Sequence, residues 1–291
     1  MREPVELWSS SRQVALRALA YDAAGAAGPA VVVLHGLGAG VDVLRQAIAG
    51  WDPYRRLADE GLNVLALDWP GHGRSGGPRG HLSYRVAMEA ASAAFDVARD
   101  RWQGPTGFLG TALGGVLAFY AALEDGRAQA VVCHNALDLR DVRPVLQRAR
   151  QGALLPVAGW LRGLLPPSRQ AQVPIPAAVL VAAADLAASP ALVRALRTHP
   201  QAVHRYDLGG LGSILLAPDD KPDIAAATTP VLVAVGSGDR VLPETTTRHF
   251  VSRLTCPHEL WVLPGGSHQL LLEHPEAFVP RAAAFLHQHL R

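Results

Sequence analysis

The sequence predicts an α/β fold, a mostly parallel sheet flanked by helices, with a helical cap inserted before its last two strands. Three observations carry that prediction. Short runs of aliphatic residues are almost unbroken by polar ones, which is how strands covered on both faces read. Helix-length segments alternate with those runs, the pattern of parallel strands joined by right-handed crossovers. One long interval, residues 136–229, breaks the alternation with helical, Pro- and Gly-punctuated sequence and no comparable strand.

The predicted strands are "AVVVLHG" (30–36), "NVLALD" (63–68), "TGFLG" (106–110), "AVVCHN" (130–135) and "PVLVAVG" (230–236), with "HELWVL" (258–263) as the last. Helices are expected over 43–60, 83–102, 113–124, 243–254 and 275–289. The core is thus residues 1–135 and 230–291, and the cap would lie over the carboxyl ends of the strands, where open α/β sheets bind ligands.

Composition narrows the function classes. Apolar residues at 49% and charged residues at 18% describe a globular chain with ample core material. A net charge of +2 argues for neither a nucleic-acid nor an anionic-membrane partner, and Lys221 is the only lysine. Cys133 and Cys256 match no metal or redox spacing and read as two buried thiols in a reducing compartment. The first twenty residues lack the apolar core of a secretion signal, and the most apolar long stretch (174–193) is interrupted by Asp185 and three prolines. The expected location is cytoplasmic.

Five motifs carry chemistry. "VLHGLGAG" (33–40) turns a strand into a glycine-rich loop whose N–H groups can face a cavity. "LDWPGHGRSGGPRG" (67–80) holds five glycines, and Asp68, His72 and Ser75 read as hydrogen bonders that fix this loop. "GTALG" (110–114) follows the G-x-S-x-G nucleophile elbow, strand, tight turn and helix, except that its centre is Ala112. Asp239 follows one buried strand and His268 follows the next, while His274, at a helix start, is the weaker candidate. Apex, acid and histidine, each at the end of its own strand, stand in the α/β-hydrolase order.

On these motifs the chain resembles the α/β-hydrolase superfamily, and within it the monoacylglycerol lipase and lysophospholipase branch of serine esterases. The likeness runs through "HGLG", "DWPGHGRSGG", the elbow, the cap, "GSGDRVLP" and "GGSHQLLLEHPE". It implies that Asp239 orients His268, that His268 is general base and then general acid, and that the amides of Leu37 and Leu113 form the oxyanion hole. It also implies substrate contacts at His35, Gly36 and Trp160 and a nucleophile at position 112. Alanine there departs from the family, since a methyl group cannot attack a carbonyl. Thr111, Cys133 and Ser267 are poor substitutes, being respectively misdirected, inside a core strand and without an elbow.

Two origins account for Ala112. One is a deliberate serine-to-alanine change, the smallest edit that leaves a substrate intact in the pocket; the intact acid, histidine, glycines and oxyanion loop favour it. The other is natural loss of the nucleophile, leaving a ligand-binding pseudoenzyme or a His268–Asp239 proton-transfer enzyme such as a lyase or cyclase. The parent chemistry on the first reading is hydrolysis of apolar acyl esters. The insertion offers few polar groups for a sugar or peptide, and "LLPVAGWLRGLLPP" (154–167), with Arg162 as its one charge, is the expected place of any lipid contact. No cofactor or metal is implied, because "HGLGAG" lacks the dinucleotide spacing. The expected partner is a small or lipid-like ester, and no oligomeric state is specified.

Overall fold

A computed structural model describes residues 5–11, 14–23, 27–142 and 154–291. Its centre is an eight-stranded sheet. The strands are β1 (Val5–Ser11), β2 (Val14–Tyr21), β3 (Ala30–Leu34), β4 (Asn63–Leu67), β5 (Thr106–Thr111) and β6 (Val131–His134). Two short strands, β7 (Pro174–Pro176) and β8 (Arg205–Asp207), pair with each other outside this sheet, and β9 (Val231–Gly236) and β10 (His258–Leu263) complete it. The order is β1-β2-β4-β3-β5-β6-β9-β10, antiparallel at β1–β2 and β2–β4 and parallel elsewhere. All six predicted strands are therefore present and form the parallel part.

Alternation along the strands divides the core into two layers. Val32 and Leu34 of β3 face one side, while Val31 and Val33 face the other. The helices are α1 (Val41–Arg45), α2 (Pro53–Asp59), α3 (Tyr84–Trp102), α4 (Leu113–Asp125), α5 (Leu154–Leu164), α6 (Pro167–Gln170), α7 (Ala177–Leu180), α8 (Pro190–Thr198), α9 (Leu208–Leu215), α10 (Glu244–Val251), α11 (Leu270–Glu273) and α12 (Pro275–His289). On the first side, Phe95 and Trp102 of α3, Phe119 of α4 and Phe250 of α10 cover the sheet. On the second, Tyr54 and Leu57 of α2 and Phe278 and Leu286 of α12 do so. Each such fully buried side chain contributes about 1.5–3 kcal/mol relative to exposure.

The structure differs from these expectations at four points. The helix expected over 43–60 is two helices, because the chain turns at Gly50 with φ +70° and Asp52 starts α2 afresh, accepting hydrogen bonds from the Tyr54 and Arg55 amides. The helix expected over 243–254 is confined to Glu244–Val251. The N-terminal hairpin β1–β2 was not foreseen, and the 136–229 interval, though helical, also carries the β7–β8 pair. Residues 143–153 of that interval lie outside the described residues. Among the described residues no helix is long and apolar enough to cross a membrane.

Because β3, β5, β9 and β10 run parallel, the loops after them emerge at one edge of the sheet. His35–Gly40, Ala112, Ser237–Leu242 and Pro264–Gln269 are thereby gathered at a single place.

Candidate active site

The elbow is built by close backbone approach. A Cβ at Gly110 would lie 2.1 Å from the Gly114 carbonyl oxygen, and one at Gly114 would lie 2.2 Å from that of Leu34. No other residue type fits there. Between these glycines Ala112 stands at φ 52°, ψ −125°, a conformation L-residues rarely adopt and one that costs about 1–3 kcal/mol. It is held by its own peptide bonds: the Ala112 amide donates to the His134 carbonyl at 2.9 Å, and its carbonyl accepts from Gly115 at 2.9 Å. Helix α4 then starts at Leu113, presenting its first amides and the positive end of its dipole to the same space. Gly36 is packed against this apex, for a Cβ on it would come within 2.9 Å of the Ala112 methyl.

Asp239 and His268 meet side chain to side chain. His268 Nδ1 donates to Asp239 Oδ2 at 2.8 Å, and both residues are buried, at 4% and 5% exposure. Asp239 Oδ1 accepts from the Val241 and Leu242 amides at 2.8 and 2.9 Å, and Asn135 Nδ2 donates to Oδ2 at 2.8 Å. Burial works to raise the Asp239 carboxyl, but the hydrogen bond and charge of His268, with the Leu242 amide, outweigh it and hold the group below the usual carboxylate range. The carboxylate is thus fixed in one orientation and stays ionised. Nδ1 of His268 is committed to it, which leaves Nε2 for chemistry.

Ala112, Leu113, Gly36, Leu37 and His268 all line one cavity of about 300 Å³. Its remaining wall is largely aliphatic. Val43, Leu44 and Val116 come from the core side, and Leu137, Leu180, Leu186, Leu196 and Leu211 from the 136–229 interval. Among the described residues, neither the Leu37 nor the Leu113 amide donates to another protein group.

Two residues expected at the substrate stand elsewhere. His35 is buried behind the loop, its ring bonded to the Gly36 carbonyl and the Trp69 amide, and burial lowers its pKa to about 4. Trp160 on α5 is 65% exposed and does not line the cavity. The loop-fixing reading of Asp68, His72 and Ser75 agrees with the geometry. Asp68 accepts from the Val41 and Arg74 amides at 2.7 and 3.0 Å, and Ser75 Oγ donates to the Asp68 carbonyl at 2.6 Å. Ser267 is engaged with Glu273 at 2.5 Å, and burial pushes the Cys133 thiol up, so neither is poised as a nucleophile. Both cysteines are free and buried.

Sequence reasoning missed Asn135, Glu273 and Tyr206. Asn135 adopts φ 69° directly after β6, which aims its amide at an acid 104 residues further on. Glu273 accepts from Ser267 Oγ and from the Ala188 and Ser189 amides, tying the histidine loop to the 136–229 interval. Nothing local in the sequence marks these long-range partners, although an Asn at a strand's carboxyl end beside the acid strand was a readable hint.

Residues 25–275 match the family described as serine aminopeptidase, S33. The chain is 32% identical over 233 residues to a monoacylglycerol lipase from Mycolicibacterium smegmatis, covering 77% of this chain and 78% of that protein. Among solved structures it is similar to a monoacylglycerol lipase from Paleococcus ferrophilus, with a TM-score of 0.72, 21% identity, and 94% and 99% of the two chains covered. A soluble variant of monoglyceride lipase from Saccharomyces cerevisiae, solved with a substrate analog, superposes with a TM-score of 0.76 at 13% identity over 100% and 97% of the chains. Both superpositions bear on the fold, which is that of the α/β-hydrolases.

Proposed function

The chain belongs to the serine aminopeptidase S33 family, and we propose that its chemistry is hydrolysis of apolar acyl esters of the monoacylglycerol kind, with the nucleophile removed at Ala112. The observation that carries this reading is the backbone of Ala112. An alanine gains nothing from φ 52°, ψ −125°, whereas a nucleophile there is lifted above the sheet toward His268. The aliphatic wall of the cavity suits an acyl chain, and the mycobacterial relative's name points the same way. Residues 136–229 serve as the cap, and the exposed Trp160 and Leu164 on α5 would meet lipid.

With serine at 112, Oγ attacks the ester carbonyl carbon while His268 Nε2 accepts its proton. The carbonyl oxygen gains the negative charge and is met by the amides of Leu37 and Leu113. Collapse of this intermediate expels the alcohol, which takes the proton back from His268, and leaves an acyl-enzyme. Water, deprotonated by His268, then releases the acid and restores Oγ–H. Asp239 stabilises the imidazolium in both halves. As the chain stands no acyl-enzyme forms at 112, so it binds ester and turns it over at most about 10³–10⁴-fold faster than water does.

Restoring the serine tests the reading. Ala112→Ser should raise kcat toward monoacylglycerols and p-nitrophenyl esters by about 10⁶-fold and become labelled by a fluorophosphonate, while the Ala112 chain stays unlabelled. A serine variant that cleaves no ester in such a panel would sink it and favour a binding or proton-transfer role.

A further inference from the structure

We propose that Tyr206, carried by the cap, is a positioning residue for the oxyanion loop: its hydroxyl fixes the peptide that follows Leu37. The inference rests on the reading of Leu37 as an oxyanion donor. "HGLGAG" is the stretch of the site least able to fix itself, because Gly38 sits at φ +78° and glycine resists no rotation. Both polar groups of Gly38 are held from outside the loop. The Gly38 amide donates to Tyr206 Oη at 2.6 Å, and the Gly38 carbonyl accepts from the Val203 amide at 3.0 Å. The peptide planes on either side of Gly38 are therefore both set by one short segment of the cap. The Leu37 side chain also packs on the cluster of Val203, Tyr206 and Leu211.

Tyr206 is itself fixed. Its hydroxyl donates to His72 Nε2 at 3.0 Å, while His72 Nδ1 donates to the Pro70 carbonyl at 3.0 Å. That tautomer satisfies every group in the chain from Pro70 to Gly38. Burial, helped by the nearby His35, lowers the His72 pKa to about 3, so it remains a neutral acceptor at working pH. The segment around Tyr206 is seated as tightly. Arg79 reaches the carbonyls of Gln201 and Ala202, and a Cβ at Gly80 would lie 2.0 Å from the Arg205 carbonyl oxygen. The "GHGRSGGPRG" loop thus serves the oxyanion loop at one remove, through the cap.

Tyr206→Phe in the Ala112→Ser background keeps the ring and removes the hydroxyl. Losing an oxyanion donor outright costs about 10²–10³ in kcat, and loosening one should cost about tenfold, with KM within about threefold for a short p-nitrophenyl ester. His72→Leu should lower kcat by about threefold, and His72→Gln, which keeps an acceptor for the phenol, should restore it. A raised KM with unchanged kcat, or equal rates for His72→Leu and His72→Gln, would overturn the proposal. If Ala112→Ser hydrolyses nothing, the reading of the reaction fails, and the strut is judged on the Ala112 chain by amide exchange. Gly38 should then exchange about tenfold faster in Tyr206→Phe at an unchanged melting temperature, and equal exchange would overturn it.

Discussion

The two walls of the cavity are made differently. On the sheet side, position is imposed by main chain packed so closely that only glycine fits at Gly110 and Gly114, and by an acid whose two oxygens accept four hydrogen bonds. On the side formed by the 136–229 interval, aliphatic side chains face the cavity and the segment is attached by a few polar links. Val203 and Tyr206 hold Gly38, His81 meets Asp207, and Ala188 and Ser189 meet Glu273. The sheet wall is therefore set chiefly by backbone, which tolerates little change, whereas the aliphatic side chains of the facing wall can vary without disturbing it. Substitutions on the two walls should differ in kind as well as in size.

The largest effect after the nucleophile itself belongs to the sheet side. In the Ala112→Ser background, Asp239→Asn should lower kcat by about 10⁴-fold with little change in KM, because His268 loses the partner that fixes its tautomer. Steady-state kinetics on a soluble ester reads this directly, and a loss below tenfold would contradict the assigned role. The same carboxylate also contributes to stability. Its folded pKa is depressed, so its contribution is present above the ordinary Asp value of about 3.9 and is lost as pH falls through the lower folded value. Acid unfolding followed by circular dichroism should accordingly be less steep in Asp239→Asn.

The same division explains what the sequence disclosed. Strands β3, β4, β5, β6, β9 and β10 were legible because burial on both faces leaves nearly unbroken aliphatic runs. The elbow, Asp239 and His268 were legible because each follows such a run. The hairpin β1–β2 was not. Trp8 and Val5 on the edge strand are exposed, and the apolar run of β2 is broken by Arg17. That arginine is buried only because Asp68, Asp42 and Glu6 meet it, which no local pattern announces. The break between α1 and α2 was readable in principle from Asp52-Pro53, a capping residue before a first-turn proline, but aliphatic periodicity on both sides masked it. In the 136–229 interval almost nothing specific was legible, since Tyr206 and the Ala188 and Ser189 amides act on partners far away in sequence.

A smaller effect should come from the link between His81 and Asp207 at the start of α9. The His81 pKa is raised, chiefly by its 2.7 Å hydrogen bond to Asp207. Burial works to raise the Asp207 carboxyl, but the bonds from His81 and from the Gly210 amide, where Asp207 caps α9, prevail and lower it. A raised histidine stabilises fully below its unfolded value of about 6.5 and loses that contribution as pH climbs through the folded value. Amides at the start of α9 should therefore exchange about threefold faster at pH 9 than at pH 6 once intrinsic rates are divided out, and His81→Gln should abolish that dependence. Exchange near Ala112 should not follow it; if both regions respond together, the two walls are one cooperative unit and the contrast fails.

The smallest effect should be on the outer surface of α5, where Trp160 and Leu164 are 65% and 61% exposed. Removing an exposed side chain leaves the core untouched, so Trp160→Ala should alter stability by no more than about 0.5 kcal/mol. Hydrolysis of a short, freely soluble ester by the Ala112→Ser chain should also be unchanged, since Trp160 does not line the cavity. A tryptophan one turn from a leucine on a helix with Arg162 between them is, however, suited to a lipid–water boundary, with its ring in the headgroup layer. Partition into phosphatidylcholine vesicles, followed by sedimentation, should weaken by about tenfold in Trp160→Ala, as should turnover of a monoacylglycerol presented in such vesicles. A variant that loses soluble-ester activity instead would mean that α5 reaches the cavity during turnover. Equal partition of the two proteins would place lipid contact elsewhere on the molecule.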